Sequence, residues 1–227
     1  MLEAAYYSQL MKKNFDFELN EGQFRAINDW DEEKNLFLAG TAGTGKTFIA
    51  LFLAIKSIIN KKQGDLVIVR SLVPTRNIGF LPGTEEDKSQ PYMEFYESTI
   101  LEILSAFASK NSNKDFLKSR VKFQNTSFLR GKTWDNSVIF IDELQNLNVH
   151  EVHTVMTRVG KNSRVIASGD YFQSDLSRRE SSYNFMEEMV SLLNSFSQVN
   201  FYIEDIVRSD FVKEWCEIAE PFFIGNN

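Results

Sequence analysis

Gly40, Gly45, Lys46 and Thr47 stand at the spacing G-x-x-x-x-G-K-[ST] within NLFLAGTAGTGKTFIALFLAIKSIIN, residues 35–60. Residues of these types suit one chemistry. Gly40, Gly43 and Gly45, with the small Thr41, Ala42 and Thr44 between them, let a backbone fold around phosphates with its N–H groups inward, at the positive end of a helix. Lys46 then reaches the β- and γ-phosphates, and the Thr47 hydroxyl offers an oxygen to Mg²⁺. The alternative is a Gly/Thr-rich turn that matches by chance, and the flanks argue against it. Leu36 to Ala39 form the short apolar run of a buried strand; from Thr47 the pattern turns helical (Ile49, Phe52, Leu53, Lys56, Ile59) and stops at Lys61, Lys62 and Gly64. The stretch predicts a nucleoside triphosphate site.

A second set of chemical residues lies in VIFIDELQN, Val138 to Asn146, where four apolar β-formers end in Asp142 and Glu143. Such an acidic pair is common by itself. Beside a phosphate loop it reads as the other half of the site: Asp142 holds Mg²⁺, directly or through water, and Glu143 orients and deprotonates the attacking water. In RVIASGDYFQSDL the amide of Gln173 can hydrogen-bond the γ-phosphate or the water and so sense hydrolysis; an ordinary strand-to-loop polar cluster is the alternative. Arg208, in DIVRSD, is the first choice for an arginine delivered to the γ-phosphate, a device that raises turnover about 10³–10⁵-fold; against it stands a structural arginine. Gln23 lies upstream of the loop, where many helicase-type ATPases place a glutamine that reads the adenine edge, or it is a solvated helix residue. Arg70 and Arg76 just past one strand, with Arg130 and Lys132 close in sequence to the acidic strand, are candidates for gripping nucleic-acid phosphates, or are surface cations. Arg178 and Arg179 read as a solvated loop. His150 and His153, spaced i, i+3, could bind a metal, but no cysteine or carboxylate cluster accompanies them.

These groups need elements to hold them. Strands are expected at Leu36 to Ala39, Asp65 to Ser71, VKFQN, Val138 to Ile141, Arg164 to Ala167 and NFYIED. Helices are expected up to Lys13, from an Asn20 cap, after the phosphate loop and from Tyr92 to about Ala108. Others follow from an Asn148 cap to a stop at Gly160, through Phe185, Met189, Leu192, Leu193 and Phe196, and through Val212, Trp215, Cys216 and Ala219. The fold class is α/β: a three-layer P-loop (RecA-like) domain with a mainly parallel sheet and helices on both faces. Residues 1–19 read as an appendage and 20–227 as the domain. A chain of 227 residues suits one large domain and is too short for two full nucleotide-binding domains. A net charge of −6 and a pI near 5.1 argue against a surface dominated by phosphate-coating charge, and leave room for a local basic groove. Cys216 is the single cysteine, so no internal disulfide forms and a reducing compartment is the default. MLEAAYYSQLMKKNF lacks the apolar core of a signal peptide and no run approaches membrane-spanning length. A cytoplasmic protein with no membrane partner is expected.

Taken in order, the phosphate loop, RSLVPTRNIGFLPG, FLRGKTWDNS, IDELQN, TRVG, SGDYFQSDL and DIVRSDFV resemble the PhoH-like family, from about Gln23 to Trp215. That family looks like the ATP-binding domain of superfamily 1 helicases. The resemblance implies ATP binding and hydrolysis, with RNA unwinding in some members. It also implies homo-oligomeric rings, hexamers, in which one subunit's arginine can complete the next subunit's site. It carries functional roles to Gly40 through Thr47, Asp142, Glu143, Gln173 and Arg208, and to Gln23. Short stand-alone versions are frequent in phages, which makes a phage source an expectation. Leu144 departs from the family's usual alanine, and the chain has no room for the RNase domain of some relatives or for a second motor domain. Two further readings stay open: a nucleotide-gated interaction module with little turnover and no nucleic acid, and a small-molecule kinase on the same loop.

Overall fold

The computed structural model describes residues 2–71, 85–107, 110–126, 129, 131, 133–174, 176 and 181–225. A sheet of 6 strands forms the middle layer, in the order β3-β2-β4-β5-β1-β6. The strands are β1 Asn35–Gly40, β2 Asp65–Arg70, β3 Val121–Asn125, β4 Ser137–Ile141, β5 Arg164–Gly169 and β6 Phe196–Phe201, and every neighbouring pair is parallel. Eight helices surround it among the described residues: α1 Leu2–Phe15, α2 Glu21–Asp31, α3 Lys46–Ile59, α4 Glu85–Phe107, α5 Lys110–Arg120, α6 Val149–Met156, α7 Tyr183–Leu192 and α8 Asp210–Gly225.

The apolar runs of the sequence become strands because both faces of a parallel sheet are covered. Successive side chains point to opposite faces, so each run splits its residues between two cores. Leu36, Leu38, Leu66, Ile68, Val138 and Phe140 pack with α1 to α4, whereas Phe37, Ala39, Val67, Val69, Ile139 and Ile141 pack with α6 and α7. α3 is apolar nearly all round and is buried accordingly, from Ile49 through Ile55. The residues before 20 supply Tyr7 and Met11 to the first of these cores, Tyr7 meeting Phe52 edge to face. Asn20 and Asn148 both cap their helices in reciprocal capping boxes, with Gln23 and Glu151.

Several boundaries differ from the sequence expectation. α6 ends at Met156 with Thr157 as its cap, so Gly160 is not the helix stop; its N–H instead bonds the Trp134 carbonyl. α7 stops at Leu192, leaving Leu192 and Leu193 exposed, and buries Tyr183, Met186 and Val190; Phe196 begins β6. That strand therefore begins four residues before NFYIED and shares only Asn200 and Phe201 with it, and Ile203–Asp205 is a 3₁₀ turn. The polar α5 carried too weak an apolar stripe to be read. Among the described residues no helix is long and apolar enough to cross a membrane.

Candidate functional site

The C-terminal ends of β1, β4 and β5 lie side by side in the sheet, the edge where open α/β sheets bind ligands. At the end of β1 the chain must turn sharply past β6. A side chain at Gly40, where φ is 135°, would place its Cβ 1.9 Å from the Phe201 carbonyl oxygen, so only glycine fits. Thr41 N–H donates to that same carbonyl at 3.3 Å, and Thr44 Oγ1 closes the loop on Thr41 O at 2.9 Å. Gly45, in the left-handed region at φ 82°, delivers the chain into α3. The first turn of that helix supplies free N–H groups at the positive end of its dipole. Lys46 Nζ donates to Gly40 O at 2.7 Å and Thr41 O at 2.6 Å. Burial pulls the Lys46 ammonium below its ordinary value, while Asp170, Glu143 and Asp142 oppose the shift and Arg208 adds to it.

Facing the loop, Asp142 leaves β4 with both carboxylate oxygens engaged. Oδ2 accepts from the Tyr96 phenol at 2.6 Å; Oδ1 accepts from Ser168 Oγ at 2.5 Å, Glu143 N at 3.1 Å and Thr47 Oγ1 at 3.4 Å. Glu143 sits in the left-handed region at φ 54°, an uncommon backbone for a residue with a side chain. That turn sends Leu144 into the core and leaves the Glu143 carboxylate lining the cleft. Burial and then the charge of Asp142 push the Glu143 carboxyl above the usual carboxylate range, against the pull of Arg70, Gln145 and Lys46. Asp170, just past the end of β5, accepts from Phe172 N at 2.9 Å, and burial pushes its carboxyl above its ordinary value.

Between the two sides lies a cleft of about 270 Å³. Ala42, Gly43, Gly45, Lys46 and Thr47 line it from one side, Asp142, Glu143, Asp170 and Gln173 from the other, and Arg208 from the rim. Arg208 is fixed there by its own chain: Asn20 Nδ2 holds Asp205 O at 2.9 Å and Val207 N donates to Gly43 O at 3.0 Å. Thr47 and Asp142 offer oxygen donors only, 3.4 Å apart, a set that fits a hard divalent cation such as Mg²⁺.

Other sequence candidates fall elsewhere. Gln23 is buried behind the loop, where Nε2 donates to Thr44 O at 3.1 Å and Oε1 accepts from Asn20 N at 3.2 Å. Arg70 reaches inward, its guanidinium donating to the Tyr96 phenol at 3.1 Å and lying in the field of Asp142 and Glu143. Arg76, Arg130 and Lys132, like Arg178 and Arg179, lie outside the described residues. His150 and His153 are exposed on α6, and among the described residues no three His, Cys, Asp or Glu side chains gather as a metal cluster. Tyr96 and Gln145 escaped the sequence reading. Both are buried polar residues whose partners lie in other elements, a signal that appears only with the fold.

Set beside known proteins, the family model described as PhoH-like protein matches residues 18–220. The chain belongs to the PhoH family. A PhoH-like protein of Synechocystis sp. is 30% identical over 189 residues, covering 81% of this chain and 56% of the relative. Protein PhoH of Escherichia coli (strain K12) is 30% identical over 199 residues, covering 84% of this chain and 54% of the relative. This PhoH chain thus spans about half the length of the curated relatives it matches. Among solved structures, the DUF1998 helicase MrfA bound to DNA and AMPPNP superposes with a TM-score of 0.53 at 12% identity, covering 85% of this chain and 28% of that one. That likeness establishes a shared RecA-like fold. The PhoH chain is an α/β P-loop domain, as its motifs lead one to expect.

Proposed function

We propose that this PhoH chain binds ATP with Mg²⁺ and hydrolyses it, with turnover coupled to single-stranded RNA or DNA. One observation carries the reading: Lys46 and Thr47 share a single cleft with Asp142 and Glu143. The loop amides and Lys46 hold the β- and γ-phosphates, and Lys46 exchanges its carbonyl partners for them. Thr47 and Asp142 hold the metal, which when bound neutralises charge on the phosphate oxygens. Glu143 orients a water toward the γ-phosphorus and takes its proton as ADP becomes the leaving group. Gln173 contacts the γ-phosphate or the water. Arg208, poised over Gly43 of its own subunit, stabilises the charge of the transition state. Glu143 beside Asp142 favours water over a substrate hydroxyl, which sets the kinase reading aside. The active form in this account is a homo-oligomer, with a hexameric ring as the arrangement that family resemblance implies.

A second reading, the nucleotide-gated interaction module, draws on α8. Two residues after Arg208 that helix begins, and Phe211, Trp215, Ile218 and Phe222 form an exposed apolar stripe along it. Steady-state ATP hydrolysis with and without single-stranded RNA and DNA separates the two. Stimulation that weakens as salt rises supports nucleic-acid coupling, because phosphate contacts release counterions. Slow hydrolysis indifferent to both nucleic acids would overturn it in favour of the gated module.

A further inference from the structure

Gln145 lies two residues past Glu143 in the 3₁₀ turn Leu144–Asn146 and is wholly buried, at 0% exposure. A buried amide is tolerated only where its donors and acceptor are matched. Here each of them is. Nε2 donates to Glu143 Oε2 at 2.5 Å and to Gln173 O at 3.3 Å, and Oε1 accepts from Asp170 N at 3.0 Å. The Gln145 backbone carbonyl accepts from Ser174 Oγ at 3.0 Å. The left-handed backbone of Glu143 makes this arrangement reachable, since it turns Leu144 into the core and aims Gln145 across the end of β4 toward the end of β5.

We infer that Gln145 is a positioning residue for hydrolysis: it fixes the Glu143 carboxylate and locks it to the turn that carries Asp170 and Gln173. This rests on the reading of Glu143 as the group that activates water. With Oε2 held by the amide, Oε1 is the oxygen left to orient the water. Any shift of the Asp170 to Gln173 turn is transmitted to Glu143 through one side chain rather than through the backbone. The residue type is constrained by count. The amide must supply two N–H bonds and one acceptor at once. Leucine supplies none of these. Glutamate supplies no N–H when ionised, and would set a like charge against Glu143.

The test is a double-mutant cycle on the full chain at saturating Mg²⁺ and ATP, with nucleotide affinity measured separately by ADP titration. Gln145→Leu is expected to lower kcat by about 10- to 100-fold with KM and ADP affinity within about threefold of wild type. In a Glu143→Gln background the same change is expected to lower the residual rate by less than about threefold, since the group it positions is already gone. A packing role alone would act equally in both backgrounds, so equal losses would overturn the inference. So would an unchanged kcat in folded Gln145→Leu, or a loss confined to KM. Gln145→Met, unbranched and of matching length, serves the same cycle if leucine prevents folding; if neither variant folds, Gln145 is a folding residue and the inference fails. The underlying reading fails differently. If Glu143→Gln hydrolyses ATP at the wild-type rate, Glu143 is not the activating group, whatever Gln145 does.

Discussion

On one side of the cleft, the loop from Gly40 to Thr47 is shaped by backbone: by the approach of Gly40 to the Phe201 carbonyl, by Val207 N–H on Gly43 O, and by the helix that starts at Lys46. On the other side, Asp142, Glu143, Gln145 and Asp170 are held by side chains that bond to one another, to Tyr96 and to Ser168. In the proposed function the first construction binds charge, and at Gly40 it leaves no room for a Cβ. The second sets the direction of individual oxygens and acts mainly on turnover. Damage on the two sides should therefore look different, in binding and folding for the loop and in turnover for the acidic side.

The largest expected effect tests the backbone side. Gly40→Ala forces a Cβ into the Phe201 carbonyl and should destabilise the fold by about 3 kcal/mol or more, read by thermal unfolding. An unchanged melting temperature would mean that the loop is not held by that close approach. Next, Glu143→Gln is expected to lower kcat by about 10²–10⁴-fold while ADP affinity stays near wild type, checked by titration. Loss of affinity instead would merge the two sides. Lys46→Ala should weaken ATP binding and lower turnover together, by about 10²–10³-fold in kcat/KM, with the fold intact. Tyr96→Phe removes one bond to the Asp142 carboxylate, and about tenfold more Mg²⁺ should be needed for half-maximal hydrolysis. Indifference to Mg²⁺ would show that Asp142 needs no such support. Smallest is the control: Asn148→Ala removes the α6 cap and should cost about 1 kcal/mol of stability without altering kcat.

The same division explains what could be read from the sequence. The phosphate loop is a contiguous stretch in which each residue type serves its own position, and the apolar run before Asp142 is long enough to betray a buried strand. Gln145 was in view within IDELQN, yet nothing local distinguishes it from a solvated glutamine; its meaning comes from Gln173 and Asp170, brought near by the pairing of β4 with β5. Tyr96 stands 46 residues from Asp142, beyond the reach of any local pattern. Arg70 ends β2, and its guanidinium donates to the Tyr96 phenol beside the acidic pair, a contact that no local pattern announces. β6 lies earlier than the expected NFYIED strand because FSQVNF pairs through one edge only and mixes polar with apolar residues, whereas NFYIED has the better strand-forming composition. The chain leaves the sheet at Phe201 in order to carry Val207 and Arg208 over the loop.

Binding and turnover belong to different sides of the cleft, and one paired measurement separates them most directly. ATP affinity and single-turnover hydrolysis of the bound ATP are followed in wild type, Lys46→Ala and Glu143→Gln. The expected result is that Glu143→Gln retains ATP without hydrolysing it, whereas Lys46→Ala loses ATP. Hydrolysis at the wild-type rate in Glu143→Gln, or undiminished ATP affinity in Lys46→Ala, would contradict the division of labour drawn here.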